Sequence, residues 1–373
     1  MNVTVIGAGN LGLAMAAHLG INGNRVTLWN RSRSTIEKLI DTRTIHCWGV
    51  LNGSVEIDLV TDDIERAVSN PDVIIVTTPA NSHHWLADII GRHLKKETLT
   101  VLNPGRTFGA LELQDIYYSY SGNYDQTIAE TQTTIHVCRK TDEDAVNLIA
   151  LKQDVLISTF EANKNQLIID RMPKCLQQYL IPARSMIETS IGNVGMILHC
   201  APLLLNTGWT ENVNNAYKYY YDGITPSVGR LIEKIDEERV AVSRALGFQV
   251  ESAIEWFRRT YEVEGDTLYQ CIQSNEAYRT IDAPKSLNHR YIFEDIPHGL
   301  VPLEAVGKML GVNMDNTSLI INLASSLMDV DLRGIGRNLN NVFGGQDKNQ
   351  ILARLLELFK CRFEGDLRNV SMG

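Results

Sequence analysis

Two textures of apolar residues alternate along the first hundred positions. Short β-branched runs, "VTVI" (3–6), "VTLW" (26–29), "DVIIVTT" (72–78) and "TLTVL" (98–102), have the length and composition of buried strands. Between them lie "LGLAMAAHL" (11–19), rich in helix formers, then "RSTIEKLIDTR" (33–43), "DIERAVSN" (63–70) and a further helix after "TTPANSHHW". Strands and helices in this alternation predict a doubly wound, mostly parallel sheet. From about residue 181 the strand texture fades, and "TPSVGRLIEKIDEERVAVSRALGF" (225–248) and "PLEAVGKMLGV" (302–312) carry apolar positions at helical spacing. The expected fold is α/β followed by all-α, with domains over 1–180 and 181–373 and the switch within "NQLIIDRMPKCLQQYLIPARS" (165–185).

Length agrees with two domains, since 373 residues exceed what one hydrophobic core usually supports. Hydrophobic content of 44% and charged content of 21% are those of a soluble globular chain, and no uninterrupted 18-residue apolar run predicts a membrane span. A net charge of −9 argues against a nucleic-acid surface. The six cysteines are scattered, without CxxC spacing or a zinc-type cluster, so they read as buried thiols in a reducing compartment, with no metal site. Met1 leads directly into a strand, without the basic region of a signal peptide, and the expected location is cytoplasmic.

"GAGNLG" changes the picture from fold to chemistry. Gly7, Gly9 and Gly12 stand at GxGxxG spacing between a strand and a helix, with Asn10 and Leu11 completing the turn. The first glycine permits the tight turn, the second lets a pyrophosphate approach the backbone, and the third allows close helix packing. The first domain is therefore expected to be a Rossmann dinucleotide-binding domain. Its second strand ends in Asn30, Arg31 and Ser32, where an NAD site would usually carry an acid. A guanidinium and a hydroxyl suit a 2′-phosphate, which favours NADP(H) over NAD(H). Thr78, Pro79 and Ala80 follow the "VIIV" strand and are candidates to line the nicotinamide half, whereas His83 and His84 have no third metal ligand at useful spacing.

Four stretches together resemble the octopine/nopaline dehydrogenase family, the opine dehydrogenases: "LNPGRTFGALE" (102–112), "AETQTTIHVCR" (129–139), "NVGMILHCAPLLLNTG" (193–208) and "HRYIFEDIPHGLVPL" (289–303). The resemblance extends to about residue 325. It implies a Rossmann domain joined to a helical domain with the active site in the cleft between. It also implies a reaction in which an amino acid's amine condenses with a 2-oxo acid such as pyruvate and NAD(P)H reduces the imine. On this resemblance His199 is the acid/base residue, Asp295 its carboxylate partner and Arg290 the anchor for a substrate carboxylate. The chemistry agrees, because imidazole titrates in the useful range and a carboxylate on its other nitrogen would fix the tautomer.

Further candidates are less specific. Asn193 suits a substrate or nicotinamide hydrogen bond, or a helix cap. Thr131 and Gln132 fall in the segment that resembles the family's cleft lining, and Arg106 stands in a turn where it could meet a phosphate or carboxylate. Asn206 and His298 have structural readings of equal weight. "HCAP" departs from the "HP" expected after the histidine, which leaves Cys200 without an assigned role. Rival readings are a ketopantoate reductase or 3-hydroxyacid dehydrogenase type of enzyme, against which stands the lack of a lysine at the position of His199, and an NADPH sensor without turnover. The apolar run "QILARLLELFKCRF" (350–363) suits either a homodimer face or internal packing.

Overall fold

The β-branched N-terminal run lies inside the main sheet of the computed structural model, which describes residues 1–121, 126–214, 216–339, 342 and 347–358. The chain divides after Ser190 into one unit of residues 1–190 and another of residues 191–357.

In the first unit the main sheet contains β1 (Asn2–Ile6), β2 (Arg25–Trp29), β5 (Leu59–Thr61), β6 (Val73–Val76), β7 (Leu99–Leu102), β8 (Thr127–Thr131), β11 (Val155–Ser158) and β12 (Leu180–Pro182). Their order is β12-β11-β8-β7-β6-β1-β2-β5, and every neighbouring pair is parallel except β8 with β11. All four residues of β6 are buried, as a parallel strand covered on both faces requires. A second sheet, in the order β4-β3-β10-β9, is built from β3 (Thr44–Gly49), β4 (Gly53–Glu56), β9 (His136–Asp142) and β10 (Ala145–Leu151). The sequence pattern does not resolve this sheet, because β3 pairs with β10 across about a hundred residues of chain.

Helix α1 (Asn10–Ile21) touches β1 and β2 on one side and β3, β4, β9 and β10 on the other. This explains why "LGLAMAAHL" is apolar all round rather than amphipathic. Every residue from Gly12 to Leu19 is buried, including His18, whose Nδ1 lies 3.0 Å from His136 Nε2. The segment expected as one helix over 33–43 is a short 3₁₀ turn, Arg33–Thr35, followed by α2 (Glu37–Thr42), because Ile36 at φ −125° interrupts it. The unit continues with α3 (Ile64–Ala67), α4 (His83–Gly91), α5 (Gly109–Ser121), α6 (Asn165–Arg171), α7 (Lys174–Gln177) and α8 (Met186–Ser190).

Among its described residues the second unit has helices and, outside them, an isolated bridge between Lys218 and Asp282. Its elements are α9 (Gly195–Leu205), α10 (Thr207–Thr210), α11 (Pro226–Ala245), α12 (Ala253–Tyr261), α13 (Leu268–Ser274), α14 (Arg290–Phe293), α15 (Val301–Met309) and α16 (Asp315–Met328). Thr225 caps α11 with Pro226 at its first position, and capping boxes at Ser252/Glu255 and Thr267/Gln270 start α12 and α13. Between α14 and α15 the chain makes a π-helical turn, Ile296–Leu300. A further helix covers Lys348–Leu358 with Ile351 and Leu355 buried, while the rest of the 350–363 run and Cys361 lie outside the described residues. Among the described residues no helix is long and apolar enough to cross a membrane.

Candidate functional site

At the Gly-rich turn the three glycines have separate physical reasons. Gly7 has φ +105°, a Cβ on Gly12 would fall 1.7 Å from Gly7 O, and a Cβ on Gly9 would meet nothing within 4 Å. Gly9 is the N-cap of α1, and no side chain caps that helix. The result is an open approach to uncapped N–H groups at a helix N-terminus, which fits a dinucleotide pyrophosphate.

Neighbouring side chains frame this turn. Asn30 Oδ1 accepts the Ala8 N–H at 3.1 Å, and its amide donates to Ser32 O. The Arg31 guanidinium lies 5.4 Å from the Trp85 ring centroid, a cation–π contact on an α4 residue that the sequence pattern does not single out. Thr78 abuts Gly7 and accepts a hydrogen bond from Ser82 Oγ at 2.7 Å, while Pro79 and Ala80 open the turn at the end of β6. His83 is buried and His84 Nδ1 lies 3.3 Å from Glu112 Oε1; no group of three metal-ligating side chains occurs among the described residues.

Arg106 lies in a loop of unusual backbone. The Asn103–Pro104 bond is cis, and Arg106 and Phe108, neither a glycine, both have φ +60°. Arg106 is buried. Below this loop sits Glu130, fully buried, accepting the Ala110 N–H at 3.1 Å and the Thr189 hydroxyl at 2.9 Å. A side chain at Gly105 would collide with the Glu130 carboxylate. Thr131 is buried and donates to Asn103 Oδ1, whereas Gln132 is partly exposed and uses its backbone N–H on Leu156 O. Glu130 sits within the quoted "AETQT" stretch, but no local signal distinguishes a carboxylate that holds a loop from one that meets solvent.

In the helical unit α9 presents His199, whose Nδ1 lies 2.9 Å from Asp295 Oδ2. The His199 side chain retains 16% exposure and that of Asp295 none. With Asp295 accepting from Nδ1, the neutral ring carries its lone pair on Nε2. Tyr291 stacks on the imidazole with centroids 4.0 Å apart, and the Tyr219 hydroxyl donates to His199 O. Cys200 has its Sγ 3.3 Å from Tyr291 O, so the residue that departs from the expected "HP" tethers α9 to the segment carrying Tyr291. Arg290 opens α14, half exposed, with Nη1 3.5 Å from Glu294 Oε2 and its guanidinium 5.6 Å from the Tyr291 ring centroid. His289 packs edge-on against Tyr291, and burial with the adjacent Arg290 charge pushes it below the ordinary histidine value.

The structure separates the remaining candidates. Asn193 Oδ1 accepts the Gly195 N–H at the start of α9, and the Asn206 amide donates to Pro202 O and Gly223 O at its end. Both asparagines therefore serve the helix termini. His298 is buried in the π-helical turn. Tyr291 and Tyr219 are absent from the sequence-derived site, and Tyr291's place in "HRYIFED" was the available signal.

Comparison with known proteins gives a consistent set of likenesses. Residues 182–328 match the family model for the alpha-helical domain of NAD/NADP octopine/nopaline dehydrogenase, and residues 2–103 match the N-terminus of NAD-dependent glycerol-3-phosphate dehydrogenase. The chain is 37% identical over 339 residues to an opine dehydrogenase from Arthrobacter sp. (strain 1C), an alignment covering 91% of this chain and 94% of that one. Its fold is similar to octopine dehydrogenase in complex with NADH and agmatine (TM-score 0.76, 19% identity, 95% of this chain and 98% of that chain). It is likewise similar to NADP⁺-bound yersinopine dehydrogenase (TM-score 0.73, 14% identity, 96% and 98%).

Proposed function

Since this chain belongs to the octopine/nopaline dehydrogenase family and is an NAD(P)-dependent oxidoreductase acting on a CH–NH group, we propose that it joins an amino acid to a 2-oxo acid by reductive condensation. The observation that carries this reading is the His199–Asp295 contact of 2.9 Å beneath a stacked Tyr291, which holds one imidazole with Nε2 ready to exchange a proton.

Condensation makes a carbon–nitrogen bond and expels water. His199 Nε2 takes a proton from the attacking amine and returns it to the departing hydroxyl, so that the imine forms without net proton uptake. Asp295 holds the tautomer and stabilises the imidazolium between those steps. Arg290 binds a substrate carboxylate by a charge-assisted contact and orients the imine carbon. Arg106, Gln132, Thr131 and Asn193 are secondary candidates for substrate; the Thr131 side chain also serves Asn103 and that of Asn193 the start of α9. When bound, the nicotinamide would supply the hydride and His199 one further proton to the imine nitrogen, and the two together give the secondary amine.

For the cofactor, Gly7, Gly9, Asn10, Leu11 and Gly12 cradle the pyrophosphate, and Thr78, Pro79 and Ala80 line the nicotinamide half. Asn30, Arg31 and Ser32 favour NADP(H): β2 ends without a carboxylate, and Arg31 already rests on Trp85. The test is NADPH and NADH consumption with pyruvate alone, with amino acid alone, and with both, across a panel of amino acids. Turnover that requires both substrates is expected. Turnover with the oxo acid alone would replace this reading with a simple 2-oxo acid reductase, and nucleotide binding without turnover would replace it with a sensor.

A further inference from the structure

The second sheet delivers a cation to the Gly-rich turn. On β9, Lys140 donates its backbone N–H to Asn10 Oδ1 at 2.6 Å and holds its ammonium 3.4 Å from Ala8 O. Ala8 is also the residue whose N–H reaches Asn30 Oδ1. One residue of the turn thus ties β9 to the end of β2, where Arg31 follows Asn30.

The charges around Lys140 are not those of an ordinary surface lysine. Of the three carboxylates that follow it in sequence, Asp142 and Asp144 are engaged by Lys38, at 3.1 and 2.8 Å, which leaves Glu143. Among the described residues no carboxylate lies within ion-pair distance of Lys140 itself. The side chain is half-buried, and burial pushes its pKa below the ordinary lysine value against a smaller opposing pull from Glu143, Asp142 and Asp144. It also stands at the positive end of α1, where the first turn has no side-chain cap. Two positive ends facing one another in a partly desolvated place are unfavourable until an anion joins them. The space above Gly9 leaves room for one.

We propose that Lys140 is a cofactor-binding residue whose ammonium, held at Ala8 beside the Gly-rich turn, contacts a phosphate of the bound dinucleotide. The inference rests on reading the first unit as an NAD(P) site. The shared chemistry is a phosphate ester, either the pyrophosphate common to both cofactors or the 2′-phosphate of NADP(H).

Binding of NADPH and of NADH to the full chain, measured by calorimetry without substrate at low and moderate ionic strength, tests it. Lys140→Met should weaken binding about tenfold or more, as loss of a charge-assisted contact does, and flatten the salt dependence. Lys140→Arg should restore affinity to within about threefold of the native chain. The cofactor-free melting temperature of both variants should match the native one. Weakening confined to NADPH assigns the contact to the 2′-phosphate, and equal weakening for both nucleotides assigns it to the pyrophosphate. Lys140→Met binding both nucleotides within twofold of native overturns the proposal, whereas a native chain that binds neither overturns the nucleotide reading beneath it.

Discussion

Tyr291 lies face to face with His199, the two ring planes 10° from parallel. Asp295 fixes the edge of the imidazole and Tyr291 fixes its face, so the direction of Nε2 is set by two independent contacts. Removing the flat surface should cost orientation without touching the proton chemistry. Tyr291→Leu is expected to lower kcat about tenfold, and Tyr291→Phe to stay within about threefold. Steady-state kinetics with a parallel cofactor titration would check this, the titration remaining native in both.

Asp295 meets Nδ1 of the imidazole and is fully buried. An amide in its place keeps the shape and loses the charge. Asp295→Asn should reduce kcat by roughly 10²- to 10⁴-fold, with nucleotide affinity retained. A kcat within about threefold of native would remove the pair from the mechanism.

Gly9 and Gly12 should respond oppositely to the same methyl group. Gly12→Ala drives a Cβ into Gly7 O and should destabilise the first unit by about 3 kcal/mol or more. Gly9→Ala meets no protein atom, so the melting temperature should hold while dinucleotide affinity drops by about tenfold. Thermal unfolding beside nucleotide titration separates the two effects.

Acid stability should fall in two windows. Burial, with the neighbouring His18, holds His136 down to about 3, and burial lowers His18 as well. Because the unfolded chain binds protons that this pair refuses, stability is lost as pH falls from about 6.5 toward 3, at up to about 1.4 kcal/mol per pH unit for each group. Burial alone would raise Glu304, but hydrogen bonds from Arg333, Lys308 and Ser318 overcome it and hold the carboxyl at about 2. Its contribution is present above the unfolded value near 4.5 and disappears as pH falls toward 2. Melting curves from pH 7 to 4 should flatten in a His18→Leu/His136→Leu double variant, and Glu304→Gln should flatten the lower window alone.

How much the sequence reveals depends on how local the cause is. β1, the Gly-rich turn and α1 are legible because strand, turn and helix signals are contiguous. The small sheet is not, because short strands with alternating burial find partners far along the chain, as β3 finds β10. His199 and Asp295 are 96 positions apart, and no local pattern joins them; the family likeness does. Asn193 and Asn206 carry the polar chemistry of a site, yet each spends it on a nearby backbone group.

The position of α1 between two sheets has a thermodynamic consequence. Cys138 and Lys140 of β9 are hydrogen-bonded to Asn10 and Ala8, so opening the β9–β10 hairpin means letting go of the Gly-rich turn. Any ligand that requires the closed turn must therefore disfavour that opening, by about 2.7 kcal/mol at a hundred times its Kd. Amide hydrogen exchange in a surface hairpin becomes a gauge of cofactor occupancy, readable before any substrate is known.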